Sequence, residues 1–131
     1  MIGLDTNVLV RYIAQDDPKQ SPQATRLIES LTADTCGYVS VVSVVELVWV
    51  LTDCYALPKA ELCAVLETLL RTKEIVVEHA DTVWQALRLF KSGKADFADC
   101  LIERSAKEAG CDYTATFDRD AAKHGGMRLV D

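Results

Sequence analysis

The sequence is short of the residues that most simple functional readings require. Basic side chains are outnumbered, 14 Lys and Arg against 20 Asp and Glu, for a formal net charge of −6. That balance argues against a protein that grips nucleic acid through bulk positive charge. Six Gly and three Pro in 131 residues exclude a collagen-like or low-complexity chain. There are two His and five Cys (Cys36, Cys54, Cys63, Cys100 and Cys111), with no CxxC or comparable spacing, so a zinc site lacks its ligand pairs. The cysteines read instead as reduced, mostly buried small hydrophobes. No GxxxxGK[ST] loop is present to cradle ATP, no GxGxxG follows the first apolar run, and no GxSxG elbow occurs. The most apolar stretch, Val39 to Leu51, is interrupted by Glu46 and falls short of the roughly 20 residues that span a bilayer. Met1 leads directly into Ile2-Gly3-Leu4-Asp5 without a basic n-region, so no secretory signal is read and a cytoplasmic location is expected.

What is present is half apolar and about a quarter charged, the balance of one globular domain spanning residues 1–131. Short apolar runs alternate with longer amphipathic ones. Strands are expected at Ile2–Leu4, Gly37–Val41, Glu74–Glu78 and Tyr113–Thr116, with a short last one at Met127–Val130. Helices are expected between them. The first ends at Asp17-Pro18, the second begins at Ser21-Pro22, and the third begins at Ser43 and is apolar almost all round, which predicts burial on more than one side. Gly110 is placed to end the helix that runs from about Asp96 to Glu108. Strands alternating with helices imply an α/β chain with a mainly parallel sheet of four to five strands, covered on both faces.

In such sheets the working cleft lies beyond the carboxyl ends of the strands. Asp5 follows strand one, Glu46 falls early in the helix after strand two, Asp118 lies past strand four, and Asp96 and Asp99 begin the long helix. Each has an ordinary structural reading. Glu46 stands three residues after Ser43, the spacing of a capping box. Asp96 and Asp99 suit a helix N-terminus, and Asp5 and Asp118 suit caps or turns. Their conjunction asks for more. Two charges about 4 Å apart repel by roughly 4 kcal/mol at an effective dielectric near 20. Four or five carboxylates in one cleft therefore call for a shared cation, and hard oxygen ligands without Cys or His favour Mg²⁺ or Mn²⁺. A carboxylate-held metal site suits attack by activated water on a phosphodiester.

Four segments carry a family resemblance: Leu4-Asp5-Thr6-Asn7-Val8-Leu9, Ser43-Val44-Val45-Glu46-Leu47, Asp96-Phe97-Ala98-Asp99-Cys100-Leu101-Ile102 and Thr116-Phe117-Asp118-Arg119-Asp120. Together they resemble a PIN domain, the nuclease fold of VapC-type toxins in bacterial toxin–antitoxin pairs. The resemblance covers nearly the whole chain. It departs at Ala121-Ala122, where members often carry a larger apolar residue. It implies an α/β/α sandwich, commonly a homodimer, and Mg²⁺- or Mn²⁺-dependent endoribonuclease activity leaving a 3′-hydroxyl and a 5′-phosphate. Its partners would be RNA and a cognate antitoxin, with no membrane. By match, Asp5, Glu46, Asp99 and Asp118 take the family's four acidic positions, and Asp96 takes an acidic position found in many members. Asp5, Asp99 and Asp118 would hold the principal metal, with Glu46 and Asp96 completing its shell or a second site. Thr6, Asn7 and Thr116 resemble the polar residues that support the acids or orient water.

Substrate grip would then come from local charge, and Arg11, Lys91, Lys94, Arg119 and Lys123 fall in or near these segments. Trp49 and Trp84 sit among aliphatics at helical spacing and read as core. Two rival readings remain: a PIN scaffold that binds without cutting, and a phospho-receiver-like domain. The latter expects an acidic pair after the first strand, where this chain has one Asp5 followed by Thr6-Asn7. Setting aside the five candidate acids leaves 15 acids against 14 bases, a net of −1. Most of the acidic excess is thus the candidate site.

Overall fold

A computed structural model describes residues 1–131, in which twelve elements alternate as the sequence pattern predicts. The chain divides into two compact units, residues 1–78 and 79–131. The first holds β1 (Ile2–Gly3), α1 (Thr6–Ala14), α2 (Gln20–Glu29), β2 (Gly37–Val39), α3 (Val41–Asp53), α4 (Lys59–Arg71) and β3 (Ile75–Val77). The second holds α5 (Ala80–Ser92), α6 (Phe97–Glu108), β4 (Ala115–Thr116), α7 (Arg119–His124) and β5 (Arg128–Leu129).

In the first unit β1, β2 and β3 form a parallel sheet in that order, with Ile2 opposite Gly37 and Gly37 opposite Ile75. Gly37 leaves little space for a side chain. A Cβ there would lie 2.8 Å from Leu4 Cδ1 and 3.0 Å from Leu31 Cδ1. Val39 of the sheet and Leu9, Val44, Leu47, Leu51 and Leu66 of α1, α3 and α4 form the core of this unit, all almost fully buried. In the second unit β4 and β5 pair in parallel, with Ala115 opposite Arg128. Its apolar core comes mainly from α5 and α6, through Val83, Leu87, Phe90, Phe97, Cys100 and Leu101. The strands are parallel as expected, but they fall into sheets of three and two rather than one of four to five. No helix is long and apolar enough to cross a membrane.

Several local expectations change. Helix α1 ends earlier than Asp17-Pro18, at Gln15, whose φ of 52° is left-handed and whose N–H reaches the Arg11 carbonyl. Helix α2 is started by Asp17, not Ser21: Asp17 Oδ1 accepts from the N–H groups of Lys19 and Gln20 at 3.0 and 2.7 Å. These two bonds hold the Asp17 carboxyl below its ordinary pKa. Helix α3 begins at Val41, capped by Ser40, whose Oγ accepts from the Ser43 N–H, while Glu78 Oε1 accepts from the Val41 N–H. The helix buries one face only, through Ser43, Val44, Leu47 and Leu51. Val42 and Trp49 stay 68% and 60% exposed. Trp49 is therefore not core. Of the five free cysteines only Cys63 and Cys100 are buried, fewer than expected. Gly110 behaves as predicted. It adopts φ 91°, its N–H donates to the Lys107 carbonyl, and the Cys111 N–H donates to that of Ala106.

Candidate active site

The first unit places Asp5 and Glu46 along one cleft of about 440 Å³, together with Thr6, Asn7, Arg11 and Tyr55. Asp5 follows the carboxyl end of β1 and caps α1, its Oδ1 accepting from the Thr6 N–H at 2.7 Å. The cap uses one carboxylate oxygen and fixes the side chain beside the helix N-terminus. Because α3 starts at Val41, Glu46 lies in the second helical turn and is not part of a capping box. Instead its Oε1 accepts from the Thr6 hydroxyl at 2.8 Å. Thr6 is 8% exposed, so this bond is shielded and ties the first helix to the third across forty residues. Asn7 lines the cleft and is exposed to solvent.

The second unit assembles Asp96, Asp99 and Asp118. Asp96 caps α6 through Oδ1, which accepts from the Asp99 N–H at 2.7 Å. The pair is thus cap and third residue, with Asp96 outside the helix proper. Asp118 caps α7 in the same way, accepting from the N–H groups of Asp120 and Ala121 at 2.8 and 3.3 Å. Thr116 Oγ1 accepts from the Asp118 N–H at 3.0 Å and so fixes the backbone that carries this acid. Burial first, then the negative charges of Asp96 and Asp118, push the Asp99 carboxyl above its ordinary pKa. Three of the five acids therefore fill the structural role that a capping reading assigns, and each cap engages only one oxygen of its carboxylate.

Neither unit by itself gathers three or more His, Cys, Asp or Glu into a ready-made metal-ligand group. The donor chemistry still suits a hard divalent ion. All the candidates are carboxylates, and in the second unit their mutual repulsion is felt at Asp99. The two ion pairs, Arg11–Asp16 and Arg104–Glu103, engage other carboxylates than the five candidates. Of the five cations considered from sequence, Arg11 is half-buried on the wall of the first unit's cleft, while Lys91, Lys94, Arg119 and Lys123 are exposed residues of the second unit. Sequence reasoning did not find Tyr55 and Asp16. Nothing local signals Tyr55, which lies 44 residues from Arg11 along the chain.

Parallel strands joined by helices, with acids following the strand ends, define an α/β protein with a candidate site of carboxylates. The PIN domain model matches residues 2–127, and the chain belongs to that family. This membership removes the phospho-receiver alternative. The chain is also similar to a protein named VapC ribonuclease from Aquifex aeolicus, 26% identical over 122 residues that cover 93% of this chain and 90% of that one.

The Thr6–Glu46 bond gives a direct test of the first unit's geometry. Thr6→Val removes the only donor recorded on Glu46 while keeping the side-chain shape. A carboxylate with its supporting partner removed typically loses 10–100-fold in activity. Nuclease activity of Thr6→Val should fall by about that factor, and Thr6→Ser should retain most of it. Equal rates for all three proteins would show that the bond is idle.

Proposed function

We propose that the chain is a Mg²⁺- or Mn²⁺-dependent endoribonuclease and the toxin of a cytoplasmic toxin–antitoxin pair, its 131 residues working as a single PIN-type nuclease domain. The observation that carries this reading is the set of acids at family-matched positions: Asp5, Asp96 and Asp118 pinned by backbone N–H groups, and Glu46 held by Thr6. In this proposal Asp5, Asp99 and Asp118 hold the principal ion, and Glu46 and Asp96 complete its shell or a second site. When bound, such an ion stabilises negative charge on the phosphate and acidifies a water molecule.

The chain's own residues do the rest. The caps hold carboxylates in place before substrate arrives, so little reorganisation is needed during reaction. Thr6 orients Glu46, Thr116 orients Asp118, and Asn7 offers an exposed amide to water or a phosphate oxygen. Lys91, Lys94, Arg119 and Lys123 supply positive charge for RNA.

The VapC-like relationship supports an antitoxin as partner. A groove of about 280 Å³ between α1, α2 and α4, lined by Leu9, Tyr12, Ile13, Ile28, Val65 and Leu69 among others, suits the apolar face of a partner helix. The family resemblance also implies a homodimer, and Val42 and Trp49 on α3 offer apolar area that a second copy would cover. A PIN scaffold that binds RNA without cutting draws on one observation, the lack of a ready-made ligand group within either unit.

End-labelled RNA separates the two readings. Cleavage to 5′-phosphate products that appears with Mg²⁺ or Mn²⁺ and stops with a chelator supports the nuclease. Intact RNA under all conditions overturns it.

A further inference from the structure

We infer that Arg11, clamped by Tyr55, Asp16 and Gln20, is the side chain of the first unit that grips the RNA phosphate backbone beside Asp5 and Glu46. The inference rests on RNA being the substrate and names how this unit holds it. Arg11 could have neutralised the nearby acids, yet it is turned to other partners. Its Nε donates to Gln20 Oε1 at 2.9 Å and its Nη1 to the Tyr55 hydroxyl at 3.4 Å, with Asp16 Oδ1 at 3.5 Å from Nη1. The Tyr55 hydroxyl in turn donates to Asp16 Oδ2 at 2.8 Å, a bond that pushes the phenol above its ordinary pKa and keeps it protonated.

Three residues on three segments thus hold the planar guanidinium from two sides, Gln20 at Nε and Tyr55 with Asp16 at Nη1, which leaves Nη2 for a further acceptor. Free arginines lose much rotamer freedom when they bind. Here that freedom is already restricted, and the Nη2 amino group remains to donate a charge-assisted hydrogen bond to a phosphate oxygen. Position agrees with this chemistry. Arg11 and Asn7 line both the acid-bearing cleft and a second cleft of about 270 Å³ whose polar wall is Gln20 and Gln23. A sugar–phosphate chain that passes from one cleft to the other meets Arg11 where they adjoin. Tyr55 acts through Arg11 and is a positioning residue.

Two assays on the full chain test this. The first is binding of a fluorescent single-stranded RNA in EDTA, followed as a function of KCl concentration. The second is steady-state cleavage with Mg²⁺. For Arg11→Gln the RNA Kd and KM should rise roughly tenfold or more, with kcat within about threefold. The slope of log K against log salt should lose about one unit. Arg11→Lys should restore the slope but only part of the affinity, because a mobile ammonium replaces the clamped guanidinium. Tyr55→Phe should raise KM a few-fold and leave kcat within about twofold. An Arg11→Gln protein with unchanged Kd and salt slope overturns the inference. So does a Tyr55→Phe protein whose Tm drops while KM stays constant, the mark of a mere strut. If Arg11 governs RNA binding but neither metal ion supports cleavage, the ribonuclease reading fails and the grip assigned to Arg11 stands.

Discussion

Asp99→Asn and Asp5→Asn should each lower RNA cleavage by about a hundred- to a thousandfold, the scale lost when a group that organises transition-state charge is removed. The two variants should nevertheless be folded, and they should differ in stability. Asn caps helices about as well as Asp, so Asp5→Asn keeps the bond from the Thr6 N–H and should leave Tm nearly unchanged. Asp99 is different. It is part-buried beside Asp96 and Asp118, whose charges raise its proton affinity. Replacing it by a neutral amide relieves that repulsion. A gain of a few tenths to about 1 kcal/mol is expected, modest because solvent reaches the site. A stability gain that accompanies loss of activity is the signature of a site built against its own folding energetics. Glu29→Gln, at the exposed end of α2, is the matched charge control and should cleave at the wild-type rate. Full activity in both Asp variants would remove Asp5 and Asp99 from the machinery. A Tm loss of many degrees in Asp99→Asn would contradict the repulsion argument alone.

Phe97→Ala should be the most destabilising single truncation in the second unit. Phe97 opens α6 between Asp96 and Asp99, is 1% exposed, and meets Phe90 edge to face with centroids 5.8 Å apart at 83°. Truncating a buried Phe costs about 3–5 kcal/mol, because the cavity closes only partly. An aromatic edge contact of this kind adds to the loss. For a chain of this length the Tm should fall by roughly 10–20 °C. Urea denaturation followed by circular dichroism would show a lower midpoint. Phe97→Leu, which keeps most of the volume, should cost less than about 1.5 kcal/mol. Similar stability for the alanine variant and wild type would mean that Phe97 is not the anchor of this unit. The residue also has functional weight. The turn that it anchors carries both Asp96 and Asp99, so loss of its packing should loosen the geometry of the acids before the unit unfolds.

The fold class was legible because its signals are local. Alternating apolar runs marked every strand within a few residues, and Gly110 closed α6 where a left-handed residue was needed. The errors arose where two local signals competed. Ser40 and Ser43 both suit a cap, and the choice fell to Ser40 because Glu78, from the end of β3, bonds the first free N–H of α3. Asp17 displaced Ser21 because its carboxylate engages two backbone N–H groups. Trp49 was read as core from helical spacing, but periodicity does not say which stripe of an almost wholly apolar helix faces inward. Packing against the sheet selected the stripe of Val44, Leu47 and Leu51 and left Trp49 in solvent.

By itself the sequence determined the alternating α/β class, the PIN resemblance, and the five acids with their share of the acidic excess. Those features depend on residue identity and on spacings of a few positions, which the chain carries wherever it folds. Only the tertiary structure decided that Glu46 answers to Thr6 rather than to a cap, that Asp99 feels Asp96 and Asp118, and that Arg11 is held by Tyr55 and Asp16. It also divided the strands into sheets of three and two. Those outcomes depend on partners up to forty-four residues apart along the chain. A hydrogen bond or a charge pair acts over a few ångströms of space, so residues far apart in sequence interact only after the fold has brought them together.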